Sequence, residues 1–300
     1  MALQFTPEGA CLVHVRRVTD SRPLVTYCAA FQVDAADRGG LEKLGKEARL
    51  ARYRCSFLLN AGQYQMLVVE APNVPAAELK TAVRWRMKDM LDFSADDATV
   101  DVLDIPGDKN AASRGRSLFA VAARNEVIRQ RMELFDVAKL PVEVIDIPEL
   151  AQRNIAAEIE DEGRGLALLS FAEDGGLLTF TYGGELYSSR HIDIPLSQLA
   201  DADSEQRQRH FDRITLELQR SFDHFERQFH FITLSKLVLA PLPAEVNLES
   251  YLASNLYVPV STMDLDQVFD FSTVSGVGPA LRMQCFQVLG AALRVEEAGQ

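Results

Sequence analysis

The sequence predicts an α/β chain with mixed sheets, arranged as two halves. Three observations predict it. Short apolar runs with strand character recur along the chain, separated by turn residues and by stretches with helical spacing. Each half opens on β-hairpins and continues with alternating helices and strands. The pattern restarts after Asp161-Glu162-Gly163-Arg164-Gly165, a polar break near mid-chain. The length of 300 residues suits two domains of about 100–200 residues each.

The first half reads as follows. Gly9 to Val33 is strand, turn, strand, with Asp20-Ser21-Arg22-Pro23 as the turn. Leu41 to Ala51 is a short charged helix. Ser56 to Leu59 and Gln63 to Glu70 are strands joined by the N-x-G turn Asn60-Ala61-Gly62. Pro75 opens a helix whose apolar positions Leu79, Val83, Met87 and Met90 carry it to Leu91. A strand spans Thr99 to Ile105, and GDKNAASRGR (residues 107–116) is a polar loop or hairpin tip. Ser117 to Ala123 is a buried strand, Asn125 to Ala138 a helix, Val142 to Ile147 a strand, and Ile147 to Glu160 a helix.

In the second half, LALLSF, LLTFTY and ELYSSRHIDI are consecutive strands split by Asp174-Gly175-Gly176 and Gly183-Gly184. A long helix runs from Asp203 to Phe229. Its residues Phe211, Ile214, Leu218, Phe222, Phe225 and Phe229 form one apolar stripe, which reads as core. LSKLVLAP is a strand, Val246 to Asn255 a helix, VPVSTMDL a strand, and Pro279 to Arg294 a closing helix.

Composition narrows the function. Apolar residues make up 47% and charged residues 25%, values ordinary for a globular chain. Lys and Arg total 31 against 43 Asp and Glu, a formal net charge of −12. That balance, without a dense basic run, argues against nucleic acid and against broad adhesion to anionic lipid. It fits a basic partner segment. Cys11, Cys28, Cys55 and Cys285 are scattered, with no C-x-x-C pair, so a structural zinc site is not expected. His14, His191, His210, His224 and His230 form no H-E-x-x-H pattern. No Walker P-loop or G-x-S-x-G elbow occurs. The first residues lack the features of a signal peptide, and no apolar run approaches the ~20 residues that span a bilayer. The expectation is a cytoplasmic chain, with any membrane association running through a partner.

Four segments carry a resemblance to a known family. The most specific is QYQMLVVEAPNVPAAELKTAVRWRMKDMLDFSADDATVDVLDIP, residues 63–106, which joins an EAP-x-VP entry to an RW-x-x-KD-x-L helix and a D-x-LDIP strand. The others are PVEVIDIPELAQRN (141–154), ITLELQRSFDHFERQ (214–228) and FQVLGAALR (286–294). With these the chain resembles the MshI family of mannose-sensitive haemagglutinin (MSHA) pilus biogenesis proteins, related to PilM of type IV pili and to the cytoplasmic part of GspL. The resemblance covers nearly the whole chain. It implies a bilobed actin-like fold of the FtsA and PilM kind, with two RNase-H-like lobes. Residues 1–160 would form the first lobe, with a small subdomain inserted at about 63–106, and 161–300 the second. It also implies a partner: in PilM-like proteins a groove in the first lobe receives the cytoplasmic tail of PilN, a single-span inner-membrane protein.

The resemblance raises the question of a nucleotide. Actin-like ATPases hold phosphate with two glycine-containing hairpins, each led by an Asp. In TPEGACLVHV, Gly9 remains but the leading Asp is missing. In LLSFAEDGGLLTF, Ser170 stands where Asp is expected and Ala172 where Gly is expected, and the carboxylates of Glu173 and Asp174 repel phosphate unless a metal intervenes. The adenosine loop has Pro241 and Pro243 in place of glycines, which removes N–H donors. Gly175 follows the Glu173 and Asp174 carboxylates; Glu217, Arg220 and Gly290 survive, and a solvated helix face and a close helix contact explain them. No cofactor is therefore expected; the alternative is ATP with Mg.

The remaining candidate is a partner-binding face. Trp85, the single tryptophan, sits between Arg84 and Arg86, with Lys88 following. It reads either as a core anchor on an amphipathic helix or as a binding rim, because aromatic residues and Arg are enriched at interface hot spots. As a core anchor its loss would cost about 3–5 kcal/mol. The functional expectation is a non-catalytic scaffold of pilus assembly that holds a PilN-like tail at Arg84, Trp85, Arg86 and Lys88. The alternative is an ATP-binding switch or slow ATPase of the same machinery.

Overall fold

In the computed structural model, which describes residues 1–6, 9–33, 37–108, 115–200, 203–243 and 245–294, the chain forms two compact units. One unit comprises Met1–Leu3, Cys11–Ala30 and Asp146–Gln300, the other Gln4–Ala10 and Phe31–Ile145. The expected loop at 107–116 lies largely outside the described residues, at 109–114, and so do Pro7 and Glu8 of the first hairpin.

The elements begin with β1 (Ala2–Thr6), β2 (Gly9–Val18), β3 (Ser21–Phe31), α1 (Arg38–Glu47), β4 (Cys55–Leu58) and β5 (Tyr64–Glu70). Then come α2 (Ala76–Arg86), β6 (Ala98–Ile105), β7 (Ser117–Arg124), α3 (Asn125–Ala138), β8 (Val142–Asp146) and α4 (Pro148–Ala157). The rest are β9 (Gly165–Ala172), β10 (Gly175–Tyr182), β11 (Glu185–Ile192), α5 (Leu196–Leu199), α6 (Ser204–Gln228), β12 (Leu234–Leu239), α7 (Leu248–Asn255), β13 (Val260–Thr262), α8 (Leu265–Val268), α9 (Pro279–Gln284) and α10 (Phe286–Ala292).

Two five-stranded sheets share one strand order: β3-β2-β1-β4-β8 and β11-β10-β9-β12-β13. In the second, β10 runs antiparallel to both β9 and β11, while β12 runs parallel to β9 and β13. This mixed pattern suits the sequence. The central strand β9 is apolar on both faces, as a strand covered on both sides must be, and Leu166 to Leu169 are all buried.

The long helix α6 meets its expectation. Asp203 accepts the backbone N–H groups of Glu205 (2.9 Å) and Gln206 (3.4 Å), satisfying donors that the first turn cannot pair. Phe211, Ile214, Leu218, Phe222, Phe225 and Phe229 are all buried. Phe180 of β10 stacks on Phe225 at 4.5 Å and meets Phe222 edge-on at 5.7 Å.

The compact grouping differs from a division at residues 160 and 161, for a hydrogen-bonding reason. Val25 N–H donates to the Asp270 carbonyl (2.8 Å), Asp270 N–H to that of Pro23 (2.9 Å), and the Thr273 hydroxyl to that of Val25 (2.8 Å). The hairpin at Cys11–Ala30 therefore groups with the C-terminal half. Helix α4 joins the same unit because it packs on α10, β10 and β11. Gly290 of α10 permits that packing: a Cβ there would lie 2.1 Å from the Ala151 carbonyl oxygen.

The other unit contains a three-stranded antiparallel sheet, β5-β7-β6, covered on one face by α2. That sheet takes in β7, so it extends past residue 106 to Arg124.

Several element readings need correction. The strand β1 was not expected; its residues ALQFT are too short to show a period. β4 and β5 are not a hairpin, since they belong to different sheets. At the turn, Asn60 bonds elsewhere: its side chain donates to the Phe5 carbonyl (2.8 Å) and accepts from Gln4 (3.1 Å). Helix α2 stops at Arg86, short of Leu91, in a tightened final turn at Met87. The closing helix breaks at Cys285 into α9 and α10.

Candidate functional site

Helix α2 is built to present one side outward. Leu79, Val83 and Met87 recur every fourth residue and pack on Val69, Leu118, Ala120 and Ala122 of the sheet. Trp85 lies off that stripe and is 56% exposed, which rules out the core-anchor reading. Met90, just past the helix, is 50% exposed. The Lys88 ammonium stands 5.8 Å from the centre of the Trp85 ring, within range of a cation–π contact.

The three basic residues differ in their freedom. Arg86 donates to the Glu70 carbonyl oxygen at 2.9 Å and lies 3.8 Å from its carboxylate, so it staples α2 to β5. Arg84 has no ion-pair partner among the described residues. Lys88 leans on the ring alone. The structure thus brings all four predicted residues to the C-terminal end of α2, where Arg86 is engaged by Glu70. Cations at a helix C-terminus also sit favourably against the helix dipole.

A second surface of this small sheet was missed. On the face away from α2, Tyr64, Met66 and Val68 of β5 align with Val121 and Phe119 of β7 and with Leu103 of β6. Phe119 is buried, but Val68 is 50% exposed. The signal was present in QYQMLVVE: apolar residues fall on both faces of the strand, so each face calls for a cover.

The positions carried over from the nucleotide site are occupied by structural roles. Gly9 has φ +139°, and a Cβ there would sit 1.9 Å from the Phe31 carbonyl oxygen. Gly175 has φ +123° where β9 turns into β10, against Ile192 and the His191 ring. Ser170 is buried and donates to Gln152 Oε1 (2.7 Å). The Gln152 amide in turn donates to the Leu168 carbonyl (2.7 Å) and to Thr179 Oγ1 (2.9 Å). Gln287 of α10 completes the cluster by donating to Ser170 (3.1 Å) and Gln152 (3.2 Å). Its own Oε1 is buried without a partner. An orphan carbonyl oxygen accepts hydrogen bonds and so does not suit a phosphate oxygen. Glu217 and Arg220 pair with each other at 3.3 Å on the surface of α6, and Asp174 is exposed. This donor set does not fit a nucleoside triphosphate.

Other chemistry is sparse. Among the described residues no group of three or more His, Cys, Asp or Glu is placed to hold a metal ion, and no helix is long and apolar enough to cross a membrane. A cleft of 840 Å³ is lined by Asp161, Glu226, His230 and Tyr257, among others. The Tyr257 hydroxyl donates to Glu226 at 2.9 Å, and burial with that bond pushes its pKa up. Asp161 pairs with Lys236 at 3.4 Å. Both carboxylates are thus engaged internally.

The fold is that of known proteins. A PilM–PilN type IV pilus biogenesis complex contains a chain that matches this one over 98% of both lengths, with a TM-score of 0.74 and 17% identity. The cytoplasmic domain of EpsL, an inner-membrane component of the type II secretion system of Vibrio cholerae, covers 98% of this chain and 95% of its own, with a TM-score of 0.51 and 12% identity. The chain has an actin-like fold, as its two like-ordered sheets and this match agree. No family model and no curated protein matches the sequence.

Proposed function

We propose that this chain is a non-catalytic scaffold of type IV pilus assembly, of the MshI kind serving an MSHA-like pilus. It works at the cytoplasmic face of the inner membrane. There it holds the cytoplasmic tail of a PilN-like single-span protein, and it does not use nucleotide. The observation that carries the reading is Trp85, an exposed tryptophan flanked by unpaired Arg84 and by Lys88 on an otherwise acidic chain. It stands on a fold shared with a PilM solved together with PilN. A short tail loses much entropy on ordering, so a few anchors must supply most of the affinity, and an exposed indole rimmed by cations suits that task.

The test is a titration of the purified chain with a synthetic PilN-like tail. Binding should be saturable and should weaken at least tenfold, about 1.4 kcal/mol, in Trp85→Ala and in the Arg84→Ala, Lys88→Ala double variant. Undiminished binding by folded variants moves the interface off this helix. Calorimetry with Mg-ATP tests the second half of the proposal. A Kd of order 1 μM, about 8 kcal/mol, would favour an ATP-binding switch instead.

A further inference from the structure

The small sheet β5-β7-β6 has two edges, and they are finished differently. The phase of the ladder fixes which backbone groups each edge leaves outside. Ala71 N–H donates to the Arg116 carbonyl at 2.7 Å, and β5 pairs β7 antiparallel with Leu67 opposite Ala120. Bonding positions alternate along an antiparallel pair, so Leu67 and Val69 turn their N–H and C=O to β7, while Met66, Val68 and Glu70 turn theirs outward. On β6 the outward row includes Val102, and Asp101 Oδ1 accepts its N–H at 2.8 Å. Asp101 and Asp104 also place charge along that edge, paired with Lys80 and Arg116. Charge of this kind keeps an edge strand from pairing with another chain. On β5 Arg86 covers the Glu70 carbonyl at 2.9 Å, but the outward N–H and C=O groups of Met66 and Val68 have no partner among the described residues. Gln63 to Val69 carries no charge, and Val68 is half exposed.

We propose that the open edge of β5 pairs with the same edge of a second copy of this chain, in a two-fold contact that joins the two small sheets into one. The two open positions complement each other. With the two-fold axis through Leu67, antiparallel pairing sets each Met66 opposite a Val68. Every N–H and C=O that those residues leave unpaired then finds a partner on the other copy. Met66 meets Val68 across the strands on the face away from α2, and the Leu67 side chains meet on the other face, so the cross-strand pairs are apolar throughout. Charge favours this strand as the meeting place. A net charge of −12 makes two copies repel over most of their surface, and β5 offers an uncharged run on which they can approach. The hold of Arg86 on the Glu70 carbonyl ends the pairing on one side, which keeps the contact short. A contact this short buries less area than a standard interface, so the dimer is expected to be weak, with a micromolar dissociation constant.

Sedimentation velocity of the full chain tests this. Up to about 0.1 mM protein the mass should move from one chain toward two, and added salt should tighten the dimer by screening the acidic surfaces. Val68→Pro removes an N–H that the β7 ladder does not use, and Val68→Lys places a charge opposite Met66. Each should weaken dimerisation at least tenfold while the circular dichroism spectrum stays unchanged. Should the proline variant not fold, the lysine variant decides. Leu67→Cys sets two thiols at a closely spaced pair, with Cα atoms about 4.5 Å apart, so mild oxidation should give a disulfide-linked dimer that a reducing agent undoes. The unaltered chain should form no such link, since Cys11, Cys28, Cys55 and Cys285 are buried. A chain that stays monomeric at the highest concentration, a dimer indifferent to both Val68 variants, or a Leu67→Cys variant that does not cross-link would each overturn the proposal. A monomer whose β5 amides gain protection from hydrogen exchange only when a PilN-like tail is added would give the edge to that tail instead.

Discussion

Helices α4 and α2 have nearly the same length and opposite fates. Seven of the ten residues of α4 are buried, among them the polar Glu149, Gln152 and Asn154. One of the eleven residues of α2 is buried, and its largest side chain, Trp85, faces solvent. In α4 the polar groups are committed: Gln152 bonds to Leu168 and Thr179, and Asn154 donates to the Gly290 carbonyl at 3.0 Å. In α2 an apolar group is uncommitted. A buried, fully paired polar group specifies architecture, since leaving it unpaired is costly. An exposed aromatic beside free cations contributes little to folding and is available to a partner. The contrast puts architectural weight on α4, whose polar side chains are spent on packing, and little of it on the outer face of α2.

Mutations sharpen that contrast, beginning with the largest effect. Gly290→Val should destabilise by about 3 kcal/mol or more, because its side chain would collide with backbone at Ala151, which cannot swing aside as a side chain can. Urea unfolding followed by circular dichroism would show it as a lower midpoint. A near-neutral result would mean that α10 and α4 are not packed as described. Gln152→Leu should cost about 2 kcal/mol by leaving Ser170 and the Leu168 carbonyl short of partners. The same measurement checks it, and a stabilised variant would show that the cluster is dispensable.

On α2 the expected stability effects are small. Trp85→Ala should change stability by about 0.5 kcal/mol or less, as surface substitutions do. A loss of several kcal/mol would return Trp85 to the core and break the comparison. The smallest effect concerns protons. His14 sits 2.5 Å from Thr26 Oγ1, and burial, then the N-terminal charge and Arg16, hold its pKa below the usual value. The folded state therefore binds fewer protons than the unfolded state. This contribution is complete above the unfolded pKa of about 6.5 and is lost as pH falls through the folded value. His14→Gln should flatten the stability profile on the acid side of that window, as read by thermal melts across pH.

Much of this was legible in the sequence for identifiable reasons. The phenylalanine stripe of α6 lies at helical spacing and is buried as expected. The strand β9 is a continuous apolar run between glycine-bearing breaks, and α3 begins and ends as its pattern indicates. Arg84, Trp85, Arg86 and Lys88 stood out together because they are near neighbours in sequence, which by itself does not set which of them share a face. What escaped was non-local. β1 is five residues long and shows no period of its own; its strand identity comes from its neighbours β2 and β4. The Asn60 turn is compatible with a hairpin, but its side chain bonds to β1 and the following strand joins another sheet.

The sequence by itself determined the alternation of helices and strands, the charge and the basic character around Trp85. Those properties depend on residue type and short-range spacing. Tertiary structure alone decided that Trp85 is exposed, that Arg86 is held by Glu70, and that Ser170 is enclosed by Gln152 and Gln287. Exposure and contact between residues far apart in the chain follow from which faces pack together, and no local pattern encodes that choice.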